Sequence, residues 1–224
     1  MLKAVGTIFL KELKIEFRNW QMITSSLVMS ILVLAAFRFS FIVVSMDYQT
    51  TAAPVIWITF FFGGMLALSP IYKREIEQGT KDGLLMAPLS PPTIYYGKFL
   101  ATLVIILAME AFSLIIFFAA FPVDAPDMLA LCVLIFLGTV GFVALGNIIS
   151  AISANLSKTE ILIVVLLIPL LLFTIVSTAL SATAELFING ANIYGIIDEI
   201  IFILLFDIVY IIAGHLLIKF IIED

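Results

Sequence analysis

The chain has 224 residues, of which 63% are hydrophobic and 12% charged, with a formal net charge of −5 and a mean hydropathy of +1.25. A soluble domain carries about 25% charged residues, so the composition excludes an ordinary water-soluble globule and points to an integral membrane protein. The single cysteine, Cys132, excludes an intrachain disulfide and a thiolate metal cluster; set in an apolar run, it reads as a buried, inert thiol.

Residues 1–20, MLKAVGTIFLKELKIEFRNW, lack the apolar core and cleavage site of a signal peptide and contain Glu12 and Glu16. They predict an amphipathic helix. Val5, Phe9, Leu13 and Phe17 recur every four residues with Trp20 on the same side, and Lys3, Lys11, Lys14 and Arg18 gather opposite. Glu16, near the apolar stripe, is the exception. A basic amphipathic helix ending in aromatics is expected to lie in the membrane surface; packing on a partner is the alternative.

Six stretches have the roughly 20 apolar residues that a membrane helix needs: Met22–Val44, Pro54–Tyr72, Phe99–Phe121, Met128–Ser150, Ile161–Thr183 and Ile193–Ile218. The last is least defined at its start, where Asp198 and Glu199 leave room for a separate surface helix and a span from about Ile200. Ten of the eleven basic residues fall in residues 1–20, the 73–98 loop, the 151–160 loop and the C-terminal tail, whereas the alternate loops carry Asp47, Asp124, Asp127 and Glu185. By the positive-inside rule both termini are then cytoplasmic. The expected fold is all-α, a single membrane domain over 1–224.

The 73–98 loop interrupts this apolar chain with charge, glycine and proline. Its residues REIEQGTKDGLLMAP predict a short helix with Leu84, Leu85 and Met86 on one side. Gly79 and Gly83 permit a close approach or a bend, and Pro88, Pro91 and Pro92 break helicity before the third span. Such an element can dock on a cytosolic protein while both ends stay tied to spans; a solvated connection is the alternative.

The pattern Arg74-Glu75, Glu77-Gln78-Gly79-Thr80, Leu84-Leu85, Pro88 and Gly97-Lys98 resembles the region between spans two and three of type-2 ABC export permeases. The resemblance implies a coupling helix that touches a separate ATP-binding subunit through Arg74, Glu75, Glu77, Gly79, Thr80, Asp82, Leu84 and Leu85. It also implies an N-terminal elbow helix and a permease homodimer. More narrowly, Ala53–Leu68 and Leu137–Phe173, the latter with Leu137-Gly138-Thr139 and Pro169-Leu170, are similar to haem exporter protein B. That family implies an inner-membrane permease subunit in haem delivery for cytochrome c maturation. Its partners would be an ATP-binding subunit and further membrane subunits, including a haem-handling protein. Haem would be cargo and ATP would be bound by the partner. A type-2 permease for a drug, lipid or polysaccharide, or a non-transporting scaffold, are the alternatives.

The residues themselves offer no catalytic constellation, and neither a metal site nor a nucleic-acid partner is expected. The P-loop pattern is missing, because Gly97-Lys98 is preceded by Pro92 where a glycine is required and followed by Phe99 where a hydroxyl is required. The sole histidine, His215, reads as an interface residue or one hydrogen-bonded within the bundle rather than a haem ligand. Arg38, Glu110 and Asp207 stand inside predicted spans, where charge is expensive, so each should face protein or water and have a partner. They are candidates for lining a path or a switch, or for a structural pair or a neutral acid. Gly138, Gly141 and Gly146 predict close helix packing. Trp20, Tyr72, Tyr95 and Tyr96 suit the interface belt on the side of the termini, and the many Phe suit lipid or core rather than a haem box.

Overall fold

The computed structural model describes residues 2–18, 20–44, 47–68, 71–72, 79, 89–155 and 176–223. Among them run seven helices and no strand. They are α1 Leu2–Arg18, α2 Gln21–Val44, α3 Tyr48–Leu68, α4 Pro91–Ala120, α5 Met128–Asn155, α6 Val176–Ile188 and α7 Ile197–Glu223. Five of these, α2, α3, α4, α5 and α7, are long and apolar enough to cross a membrane. Most of the predicted fifth span lies outside the described residues, and α6 covers its end.

The helices start earlier or run longer than the hydropathy pattern suggests. α3 begins at Tyr48 rather than Pro54 because Asp47 caps it, its carboxylate accepting the amides of Gln49 (3.3 Å) and Thr50 (3.2 Å). Pro54 then sits inside the helix. α4 opens at Pro91-Pro92, so these prolines start a helix instead of breaking one: a first-turn proline lacks only an amide that has no intrahelical partner anyway. Residues 91–98 are therefore the first turns of α4 and not loop. α7 runs without interruption from Ile197, with Asp198 and Glu199 in its first turn, where the helix dipole favours acids.

α4 is the hub, packing against α1, α2, α3, α5 and α7; α3 also packs on α2 and α5, and α7 on α5. In the central helices α3 and α5, 61% of the apolar window is buried, against 22% in α2 and 17% in α7. The last two form the periphery. In lipid, helices gain little from hydrophobic burial against each other and associate through close packing and hydrogen bonds. Both are visible. A Cβ on Gly138 would come 2.5 Å from Trp57 Cη2, and one on Gly64 2.5 Å from Phe142 Cε1, so both sites need glycine. Leu68 packs on Gly146 in the same way. The expected close packing of Gly138 and Gly146 is met, with α3 as the partner. Hydroxyls inside the spans donate to the carbonyl four residues back, as Ser30, Thr59, Ser113 and Thr183 do.

At the end of the bundle away from α1, Phe41, Tyr48, Phe117, Phe121 and Phe187 stack in one cluster. Gln49 fastens it, with Nε2 donating to the Phe187 carbonyl (2.9 Å) and Oε1 accepting from the Asp124 amide (3.0 Å).

Three local expectations are corrected. Cys132 is exposed on α5 rather than buried, because the inward face there is filled by Ala130, Leu131, Leu134 and Ile135. Tyr72 and Tyr95 are buried rather than interfacial. Tyr95 fits because Gly214 of α7 leaves room for its ring, and its hydroxyl donates to the Ala144 carbonyl (3.3 Å). Finally, the stripe expected to lie in the membrane surface, Val5–Phe9–Leu13–Phe17, is divided: Val5 is buried against the bundle, while Phe17 and Trp20 stay exposed as that expectation requires. The buried residues of α1 are Val5, Ile8 and Glu16.

Candidate functional site

The docking of α1 has a cause on α4. Lys98 is only 1% exposed, and a buried ammonium must be paired. Its Nζ donates to Glu12 Oε1 (3.0 Å) and to the Ile71 carbonyl (3.0 Å), and lies 5.0 Å from the centre of the Tyr72 ring. Burial raises the Glu12 carboxyl, but Lys98 and Lys11 outweigh it and hold the group below its ordinary value of 4.5. One turn away, Gly97 takes the other contact: a Cβ there would come 2.5 Å from Ile8 Cγ2. Ile8 and Glu12, one helical turn apart, dock on Gly97-Lys98. This pair therefore joins three segments: α1, the chain leaving α3 at Ile71-Tyr72, and α4. The two ends of the loop after α3 are tied to each other and to the N-terminal helix.

Of the eight residues assigned to coupling, only Gly79 is described; Arg74, Glu75, Glu77, Thr80, Asp82, Leu84 and Leu85 lie outside the described residues. Gly79 is exposed with φ +65°, a left-handed backbone that side chains disfavour. A Cβ there would meet no heavy atom of a described residue within 4 Å. The left-handed backbone fits the bend that the sequence allows.

The three ionisable residues within the spans are not joined to one another by any hydrogen bond or ion pair. Glu110 on α4 is buried, and its Oε2 lies 2.6 Å from Thr139 Oγ1 of α5, which is also 2.7 Å from the Ile135 carbonyl. A threonine hydroxyl has one hydrogen. With it donated to Ile135, a carboxylic acid donating from Oε2 to Oγ1 accounts for both short contacts, which fits the neutral-acid alternative. Beside Glu110 is a cavity of about 20 Å³, room for one water, lined among the described residues by Trp57, Phe60, Phe61, Gly138, Phe142 and Val176. Trp57 is fixed there by donating to Thr183 Oγ1 (2.8 Å). Asp207 on α7 is buried with neither carboxyl oxygen hydrogen-bonded. Arg38 is half-buried on α2 and donates to the Tyr48 hydroxyl (2.5 Å). His215 is half-buried and lies 3.2 Å from the Tyr96 hydroxyl through Nδ1, within the bundle as expected. Among the described residues no three His, Cys, Asp or Glu side chains are grouped to hold a metal.

Sequence reasoning missed Glu12 and Tyr72. Glu12 lies four residues before Glu16, and that spacing puts two acids on one face of an otherwise basic helix. A buried lysine at the start of α4 is what draws that face inward.

Five long apolar helices packed about α4, with an amphipathic helix docked at its start, make this a multi-pass membrane protein by length and composition. The family model for CcmB protein matches residues 3–213, and the chain belongs to that family, haem exporter protein B. It is the permease subunit of the haem-export ABC transporter of cytochrome c maturation, a multi-pass protein of the inner membrane. No individual curated protein matches it.

Proposed function

We propose that this permease has six spans with both termini in the cytoplasm, pairs with a second copy, and is driven by a separate ATP-binding subunit docked on residues 73–90. The Lys98 cluster carries the reading. A push on the loop reaches Ile71 and Tyr72 at one end and α4 at the other, and Lys98 binds those ends into one unit. Glu12 adds α1, the elbow helix at the membrane surface, to that unit. Loop displacement then moves α3, α4 and α1 together. α4 passes the motion on, since it packs on α2, α5 and α7. The exposed, left-handed Gly79 gives the loop the turn it needs to present Arg74–Leu85 to the partner.

The test places a single cysteine at Asp82 (Asp82→Cys with Cys132→Ser) and cross-links it to the ATP-binding subunit in membranes. A cross-link that changes in yield with ATP is expected. A Lys98→Met variant should keep the cross-link yet lose most holocytochrome c, detected by haem staining. Full haem staining in Lys98→Met, or no cross-link from any position between 74 and 85, overturns the coupling role.

A further inference from the structure

We infer that Arg38 grips the phosphate of a membrane phospholipid at the end of the bundle away from α1. The guanidinium has five N–H donors and no acceptor. One goes to the Tyr48 hydroxyl, and the Tyr48 ring lies 5.5 Å from the guanidinium carbon. The other four donate to no described residue, and no carboxylate of a described residue lies within 4 Å. The nearest acid in sequence, Asp47, is spent on the amides that open α3. A half-buried arginine without an anion is costly in an apolar setting, and a lipid phosphate would supply the anion that no described residue gives it.

The surroundings select it. Arg38 stands six residues before the end of α2 at Val44, about 9 Å along the axis at 1.5 Å per residue, within reach of the headgroup layer for a long cationic side chain. Ile42, one turn on, and Phe39 and Val43 beside it are exposed, as are Val28 and Leu32 below. Val28 and Leu32 offer an apolar strip for acyl chains beneath the cationic fork, and Phe39, Ile42 and Val43 flank it on the headgroup side. Tyr48 holds the fork at its place, since it is itself packed on Phe41 and Phe121. A phosphate offers paired oxygens that match a guanidinium edge. Every other ionisable side chain in the flanking turns is acidic: Asp47, Asp124, Asp127, Glu185, Asp198 and Glu199. Arg38 is thus the one cationic attachment point at this end.

The test titrates the full chain, purified in neutral detergent, with phosphatidylethanolamine or with diacylglycerol of the same acyl chains, and counts bound lipid by native mass spectrometry. Arg38→Gln is expected to weaken phosphatidylethanolamine binding about tenfold while leaving diacylglycerol unchanged. Equal phosphatidylethanolamine binding by both proteins overturns the proposal, and so does a loss that diacylglycerol shares. Displacement of the lipid by millimolar inorganic phosphate would assign the site to a free anion and also overturn it. Should Arg38→Gln fail to fold, Arg38→Lys decides. A point charge without the fork should bind phosphatidylethanolamine severalfold more weakly, and undiminished binding there counts against the proposal.

Discussion

Replacing Lys98 by Met keeps the length of an apolar stem and removes the ammonium. Glu12 is then left with Lys11, whose side chain is 42% exposed and whose Nζ lies at 3.2 Å; such a surface pair contributes at most about 1 kcal/mol. Removing one member of a buried pair costs about 3–5 kcal/mol, and the Glu12 side chain is 12% exposed. The residual exposure and Lys11 place the expected loss near the lower bound, about 3 kcal/mol. Glu12→Gln strands the more deeply buried charge, Lys98 at 1% exposure, so it should cost at least as much, about 3–5 kcal/mol, reduced by the Ile71 carbonyl and the Tyr72 ring that Lys98 keeps. The double variant leaves no charge to strand and should cost no more than Glu12→Gln alone, so the two changes are strongly non-additive. Reversible unfolding in detergent micelles, followed by circular dichroism, measures all four proteins. The pH arm has a definite sign. Glu12 is held below its ordinary 4.5 in the fold, so its contribution is present above the unfolded value and lost as pH falls through the folded one. That acid-side loss should vanish in Lys98→Met. Additive losses, or an unchanged acid side, would refute the buried pair as the joint between α1 and α4.

Asp207→Leu should raise stability by about 1–3 kcal/mol, because it removes a buried carboxyl whose oxygens have no partner; thermal unfolding of the purified chain checks this. Gly79→Ala should cost about 1–2 kcal/mol of local loop stability through its left-handed φ, and Gly79→Asn less. Protease cleavage rates in the 73–90 loop rank the two variants, and equal rates would contradict the bend. Glu110→Gln retains a neutral partner for Thr139, so its unfolding midpoint should correspond to a loss within about 1 kcal/mol, whereas Glu110→Leu, which strands the threonine, should lose more.

The spans were legible because length and hydropathy alone decide what can cross a bilayer; five of the six predicted stretches appear as suitable helices, and the fifth lies mostly outside the described residues. What failed was the direction of side chains. Tyr72 and Tyr95 look like belt residues by their position near a charged loop, yet Gly214 and Lys98 draw them inward. The apolar stripe of α1 was ranked by hydropathy, whereas Glu12 answers a lysine 86 residues away. Pro91-Pro92 signals a break on either side of itself, and only the position of the helix start decides which. Arg38 was legible as an oddity; that Tyr48 rather than an acid meets it was not. The coupling residues rest on the family pattern and on Gly79.

The Gln49 clasp bears on how this protein can be tagged. The turn after α4 is stitched to α3 and α6 through one side chain, so a reporter inserted at residues 122–124 would pull out that stitch. The turn after α6 rests Ala191 and Ile193 on the core and turns Asn192 and Tyr194 outward. The Gly190 backbone is left-handed, and Asn192 caps the amides of Tyr194 and Gly195, with Tyr194 fully in the open. A fluorophore attached at the Tyr194 side chain, with the backbone and the Asn192 cap left intact, would mark that side of the membrane without loosening the bundle it reports on.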